Sequence, residues 1–417
     1  MSLSTKKANS KPVDEVSELI FLARQPIFDR NLHVVAYELL YRNAGSGGAN
    51  IDDATYATAK LITNTFLETG FENISGGKQV FINLPRPFIT GEMPILLDPK
   101  QVVLEILEDV CADDAAIKGA KELRAKGYTI ALDDFLQTDE NKDFIPLASI
   151  IKIDVLNQTE ADLREQVAGF ASYKVKLLAE KVETEEQHLL CRSLGFELFQ
   201  GYFFCKPKIL EGKPLPSNHI NILTIIAKLQ DRECQIQDIE KIFSNDIGMS
   251  FKLFKIINSS YYNVGRKIES IHHALVMLGL ETIKKWVMLI SLSSFECSPR
   301  ELIVSALVRA KMSEAVAGNL GYKAEIAFTI GMFSLLDAIM EQPLAVIIEN
   351  LPLSEEVKRA LLDHQGQQGE LLAAVISYER GVWESIDGKF MHEGCMFQAY
   401  QDALAWCATV AGKLTQR

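Results

Sequence analysis

The chain has 417 residues, 48% hydrophobic and 24% charged, a composition that fits a folded protein of two or three domains. Its formal net charge of -12 argues against nonspecific adhesion to nucleic acid or to an anionic membrane surface. Seven scattered cysteines without C-x-x-C spacing argue against a disulfide framework or a cysteine zinc site and suit a reducing compartment.

Residues 1–17 form a polar tail without the apolar core of a secretory signal. From 18 to 207, short apolar runs alternate with amphipathic stretches such as 53–71 and 114–127. Gly127 reads as a C-cap glycine, and Thr184 with Gln187 as a capping box. This alternation predicts an α/β fold with a mostly parallel sheet, closed as a TIM-like (β/α)8 barrel. The segment CKPKILEGKPLPSN sets a linker at 208–216. From 217 to 417 the pattern has a helical period, which predicts an all-α domain. Apolar runs such as 286–292 are too short to span a bilayer, so the expectation is a cytoplasmic protein with no membrane association.

Six strand-like runs of the first half end on polar groups that share one phase. They are VVAYE to Glu38, QVFIN to Asn83, QVVLE to Glu105, YTIALDD to Asp133 and Asp134, SIIK to Lys152, and VKLLAE to Glu180. Any one alone reads as a loop cap or a surface ion pair. Together they predict a polar ring on the barrel face that carries chemistry. Convergent carboxylates repel unless a cation joins them, and oxygen donors suit Mg2+ or Mn2+. Glu38, Asn83, Glu105 and Asp133 are the expected ligands, with Asp134 helping to hold a second ion. Two ions about 3.5–4 Å apart form the usual clamp for phosphodiester hydrolysis. Lys152 is expected to orient a water or balance phosphate charge, and Glu180 to act as general base.

These residues fall in motifs that resemble the EAL domain, the cyclic di-GMP phosphodiesterase fold of bacteria, over about 21–207. FLARQPIFD resembles the opening element, with Gln25 in the glutamine place. YELLYR resembles E-x-L-x-R through Glu38, Leu40 and Arg42. FINL supplies Asn83, and LEILE resembles E-x-T-E through Glu105 and Glu108. LDDF supplies Asp133 and Asp134, and IIKID supplies Lys152 and Asp154. AEKVET resembles A-E-G-V-E-T through Glu180 and Glu183, with Lys181 in the glycine place. FQGYFFCKP resembles the closing element through Gln200, Gly201, Tyr202 and Pro207. The resemblance implies the metal and water roles given above. It also implies ligand contacts from Gln25, Leu40, Arg42 and Gln200, support from Glu108 and Glu183, and a barrel homodimer. The implied reaction is metal-assisted cleavage of cyclic di-GMP to linear pGpG.

Two departures stand out. The family's G-T-G-Y-S-S-L loop is replaced by LQTDENKDFIPL after Phe135, without glycine and with added acidic residues. Ser149 stands where many active members have aspartate. The altered loop predicts weak or partner-dependent activity. The alternative is a catalytically inactive cyclic di-GMP-binding or scaffold protein.

Residues 217–400 resemble an HDOD domain through Asp246, Asn258, Ser259, Tyr261, Ile271, Ala274, Leu278 and Gly279. The His-Asp pair of true HD enzymes is replaced by Ser334 and Leu335. His272 and His273 are adjacent and point about 100° apart on a helix, a poor chelating geometry. The expectation is a noncatalytic module that binds an unidentified protein partner. DNA binding through the helices that meet at Gly279 is disfavoured, because Lys284 and Lys285 are the main positive charges there.

Overall fold

The computed structural model describes residues 20–43, 58–59, 71–135, 141–201, most of 277–414, and scattered positions between 225 and 274. The expected tail and the 208–216 linker lie outside the described residues.

Eight strands close a barrel in sequence order. They are β1 (Ile20–Asp29), β2 (Val34–Asn43), β3 (Gln79–Asn83), β4 (Val102–Ile106), β5 (Thr129–Leu132), β6 (Ile150–Asp154), β7 (Lys176–Glu180) and β8 (Leu198–Phe199). From β2 to β8 every neighbouring pair is parallel. The first strand departs from a regular (β/α)8 barrel: β1 runs antiparallel to both β2 and β8. A tight turn joins β1 to β2, with Leu32 at φ 61 and Asp29 Oδ1 accepting the N–H groups of Asn31 and His33. A hairpin needs only a few residues, whereas a parallel crossover needs a dozen or more.

Three helices follow the later barrel strands: α1 (Asp114–Ala125), α2 (Glu160–Phe170) and α3 (Glu185–Ser193). Each start is capped, because the first N–H groups of a helix have no partner within it. The Asp113 side chain accepts from Ala116 N, and Thr159 with Asp162 forms a capping box. Thr184 with Gln187 forms the expected second box, and Gly127 sits at φ 94 beyond α1.

Strand side chains alternate between the two faces of the sheet, and this sorts the barrel. Ile27, Ala36, Phe81, Val103, Ala131, Ile150 and Leu178 fill the interior as one apolar layer. The intervening residues Leu22, Leu39, Val80, Ile82, Leu104, Ile130, Ile151 and Ala179 join the outer core under the helices.

The second half is helical. Its longer described helices are α4 (Leu280–Leu292), α5 (Arg300–Asn319), α6 (Ala324–Phe333), α7 (Glu355–Asp363), α8 (Gly366–Glu379) and α9 (Cys395–Leu414). They share one core, which includes Trp286, Phe328, Tyr378 and Tyr400. That core reaches into the barrel half. Ala23 belongs to it, and Leu40, directly opposite Ala23 on β2, packs against it.

The contact runs along β1. Among the described residues, its ladder with β8 joins Phe28 to Phe199 and Asp29 to Leu198. Further along β1, the backbone N–H of Leu22 donates to Tyr378 Oη on α8 at 3.3 Å, and that of Arg24 to Tyr400 Oη on α9 at 3.1 Å. On the outer side, the Arg24 guanidinium lies 4.1 Å from the Tyr37 ring centroid, and Tyr37 Oη donates to Glu301 on α5. The helical half thus supplies acceptors to these backbone donors of β1.

Candidate functional site

Moving two residues along each strand from the apolar layer keeps the side chain pointing inward. Ala36 leads to Glu38, Phe81 to Asn83, Val103 to Glu105, Ile150 to Lys152, and Leu178 to Glu180. Asp133 and Gln200 follow β5 and β8 in the same phase, and Gln25 lies opposite Glu38 on antiparallel β1. The apolar layer is therefore the floor of a polar one.

Lys152 is the hub of that layer. Its side chain is fully buried, and its ammonium lies 2.6 Å from Glu105, 2.6 Å from Asp133, 2.9 Å from Glu180 and 3.3 Å from Glu38. Gln200 Nε2 donates to Glu38 Oε2 at 2.7 Å and lies 2.8 Å from Gln25 Oε1. The sequence predicts these residues as a rim, but not that one ammonium joins four carboxylates.

The charges explain the protonation behaviour. Burial works against the Lys152 ammonium, yet the facing carboxylates hold its pKa well above the ordinary lysine value. Burial pushes the Glu180 carboxyl up to about 8; Lys152 opposes this, and Glu38 and Asp133 reinforce it. Glu105 is raised as well, again chiefly by burial. One ammonium cannot neutralise four facing carboxylates, so Glu180 and Glu105 hold protons to higher pH than ordinary carboxyls.

The other expected residues are placed as follows. Asp134 sits at the rim at φ 42, with Oδ2 3.5 Å from the Lys181 ammonium. Leu40 turns to the helical half, where its Cδ1 would lie 2.8 Å from a Cβ placed on Gly381. Glu108 is exposed in the turn after β4, and Glu183 is exposed before α3, rather than among the carboxylates that meet Lys152. Arg42 lies on β2, and its side chain falls outside those described. The first five residues of the altered loop, 136–140, lie outside the described residues, as do Tyr202 and Pro207; its remainder forms a short 3-10 helix, Lys142–Leu147, with Phe144 and Ile145 buried. Lys181 has a contact that the sequence did not reveal: its ammonium is 2.6 Å from Asp154 at the end of β6.

The donor chemistry bears on metal binding in two ways. Among the described residues, no group of three or more His, Cys, Asp or Glu is spaced to hold a metal, because the carboxylates close on Lys152. Yet Asn83 Oδ1, Glu105 Oε2 and Asp134 Oδ1 are buried oxygens with no hydrogen-bond donor. Buried acceptors without partners are costly, and a hard cation satisfies such oxygens. The surplus negative charge and these oxygens fit a divalent ion with oxygen ligands.

In the helical half, Ser334 and Leu335 stand at the expected His-Asp place. Ser334 Oγ accepts from Arg309 at 2.9 Å, Arg309 also binds Glu379 at 2.8 Å, and Leu335 is buried. An internal guanidinium thus organises this region. Ala274 is buried and Leu278 packs against the helical core. Asp246, Asn258, Ser259, Tyr261, Ile271, His272 and His273 lie outside the described residues. No described helix is long and apolar enough to cross a membrane.

Comparison with known proteins gives two family matches in order. An EAL domain matches residues 17–207, and an HDOD domain matches residues 215–345. Among curated proteins, the chain is 34% identical over 400 residues to the uncharacterized protein YuxH of Bacillus subtilis, covering 93% of this chain and 98% of that one. It is 33% identical over 384 residues to cyclic di-GMP phosphodiesterase CdgJ of Vibrio cholerae, covering 90% of this chain and 89% of that one. Among solved structures, a manganese/cyclic di-GMP complex of Klebsiella pneumoniae BlrP1 is 24% identical, with a TM-score of 0.38. That match covers 46% of this chain and 57% of the other.

Proposed function

The chain belongs to the family of proteins that join an EAL domain to an HDOD domain, and on that premise we propose that its barrel hydrolyses cyclic di-GMP with a divalent metal ion, giving linear pGpG. The observation that carries the reading is the buried ring of four carboxylates on Lys152, with undonated oxygens of Asn83, Glu105 and Asp134 beside it. The relative CdgJ, named a cyclic di-GMP phosphodiesterase, supports the substrate.

In this reading Glu38, Asn83, Glu105 and Asp133 hold Mg2+ or Mn2+, with Asp134 at the rim. When bound, the ion supplies positive charge to the phosphoryl oxygens and makes bound water more acidic. Glu180 accepts the proton of the attacking water; its carboxyl, raised to about 8 by burial, would be drawn back toward the ionised form by the ion's positive charge. The water oxygen bonds to phosphorus, the bond from phosphorus to one ribose 3′ oxygen breaks, and that oxygen takes a proton from solvent water as Glu180 returns its own to solvent. Lys152 keeps Glu180 oriented and offsets charge that builds on the phosphate. Gln25, Leu40, Arg42 and Gln200 position the nucleotide, Glu108 and Glu183 support the rim, and the helical domain binds a protein partner.

The test is incubation of purified protein with cyclic di-GMP in Mg2+ and in Mn2+, with products separated chromatographically. Appearance of pGpG that a chelator suppresses supports the reading; intact nucleotide with both metals removes it. One observation favours a second reading, a nucleotide-binding scaffold: Leu40 packs against the helical half beside Gly381. Calorimetry separates the two, because a scaffold of this kind binds the nucleotide without turnover.

A further inference from the structure

Lys181 is unusual in its backbone and in its reach. It sits at φ 54, a left-handed conformation that side chains with a Cβ rarely adopt. From the end of β7 its ammonium reaches Asp154 at 2.6 Å, at the end of β6, and Asp134 at 3.5 Å, just past β5. These three strands are neighbours in the barrel, so one side chain spans three adjacent strand ends. Asp154 is itself fixed, since its Oδ1 accepts the Leu156 N–H at 2.8 Å. The ammonium is therefore anchored on one carboxylate and aimed at another. Asp134 keeps its second oxygen, Oδ1, buried and undonated.

Asp134 is the outer carboxylate of the site, and the inner ones face Lys152. A divalent ion recruited by Asp134 would meet a resident positive charge at its own ligand. The Lys181 side chain is 49% exposed and that of Asp134 36%, so solvent moderates this opposition between like charges without removing it.

We propose that Lys181 is a built-in cation that takes the place of a second divalent ion, so that the barrel binds one divalent ion per chain, on the inner donors. The proposal rests on the metal-dependent reading above. Lys181 acts through Asp134 and is a positioning residue: it holds the outer carboxylate by a fixed ammonium instead of an exchangeable metal. The backbone strain at Lys181 persists because the side chain links two rim carboxylates.

The experiment is Mn2+ titration of the full chain by equilibrium dialysis, with electron paramagnetic resonance on the loaded samples. Wild type is expected to bind one Mn2+ per chain and give an uncoupled six-line spectrum. Lys181→Gly, which suits the left-handed backbone, is expected to bind two, with the second site tightened at least about ten-fold and a spin-coupled spectrum. Lys181→Asn removes the charge in a residue tolerant of that backbone and should behave alike. Lys181→Arg keeps the charge and should still bind one. Two Mn2+ in wild type, or one in both Lys181→Gly and Lys181→Asn, overturns the proposal and leaves metal-dependent hydrolysis standing. No Mn2+ in wild type or any variant overturns the metal-dependent reading, and this proposal with it.

Discussion

Replacing Lys152 by methionine keeps most of the side-chain volume and removes the charge that four carboxylates share. Lys152 is fully buried, and its partners Glu38, Glu105, Asp133 and Glu180 are at most 15% exposed at the side chain. Stripping one partner from a buried ion pair costs about 3–5 kcal/mol, because the other charge is left uncompensated. For a domain of this size each kcal/mol moves the melting temperature by about 2–4 °C, so Lys152→Met should lower the barrel transition by roughly 6–20 °C in metal-free buffer. The loss should depend on pH. Without the ammonium the carboxylates hold protons more tightly in the folded state, so the deficit grows as pH rises. It should be largest above about pH 8, where wild-type Glu180 is ionised, and shrink towards the ordinary carboxyl value of 4.5. Calorimetric melts of both proteins at pH 5 and pH 8.5 in chelator read this directly. A pH-independent shift under 3 °C would refute the placement of Lys152 at the centre of the charge cluster.

Three further outcomes follow from particular contacts. In metal-free wild type, stability should fall as pH rises from 4.5 to about 8, because the folded state holds the Glu180 proton that the unfolded chain releases; a flat profile across that window contradicts it. Gly201→Ala should destabilise by about 1–3 kcal/mol in urea titration and loosen Gln200, since the added Cβ would fall 2.2 Å from the Val182 carbonyl oxygen at φ 152; an unchanged midpoint contradicts the close approach. Tyr378→Phe with Tyr400→Phe should cost about 1–3 kcal/mol per lost acceptor and speed hydrogen exchange at the Leu22 and Arg24 amides; unchanged protection contradicts the docking of the helical half on β1.

The barrel and its site were legible in the sequence to different depths. The period of two within each strand, set against a shared strand end, is a local pattern, and it placed Glu38, Asn83, Glu105, Asp133, Lys152 and Glu180 in one inward layer. The capping pair Thr184 and Gln187 is equally local. What the pattern does not carry is distance across the closed barrel. Nothing in the sequence says that Lys152 gathers four carboxylates, or that Gln200 reaches Glu38 and Gln25, because those pairs meet only when β8 returns to β1. The reversed direction of β1 is hidden from the sequence for the same reason. Leu40 shows the limit most clearly: its motif says nothing of the helical core it packs against, where it lies beside a glycine more than three hundred residues away. Lys181 was visible as a changed residue, but its partners Asp134 and Asp154 appeared only with neighbouring strand ends in place.

The central claim is that this polar layer cleaves cyclic di-GMP with Glu180 taking the proton from water. The most direct measurement is single-turnover hydrolysis by wild type and by Glu180→Gln, each loaded with Mn2+, alongside nucleotide affinity from calorimetry. The account predicts pGpG from wild type, and for Glu180→Gln a rate lower by about 10²–10⁴-fold with binding retained, the usual contribution of a positioned general base. Equal rates for the two proteins, or tight binding by wild type with no pGpG formed, would contradict it.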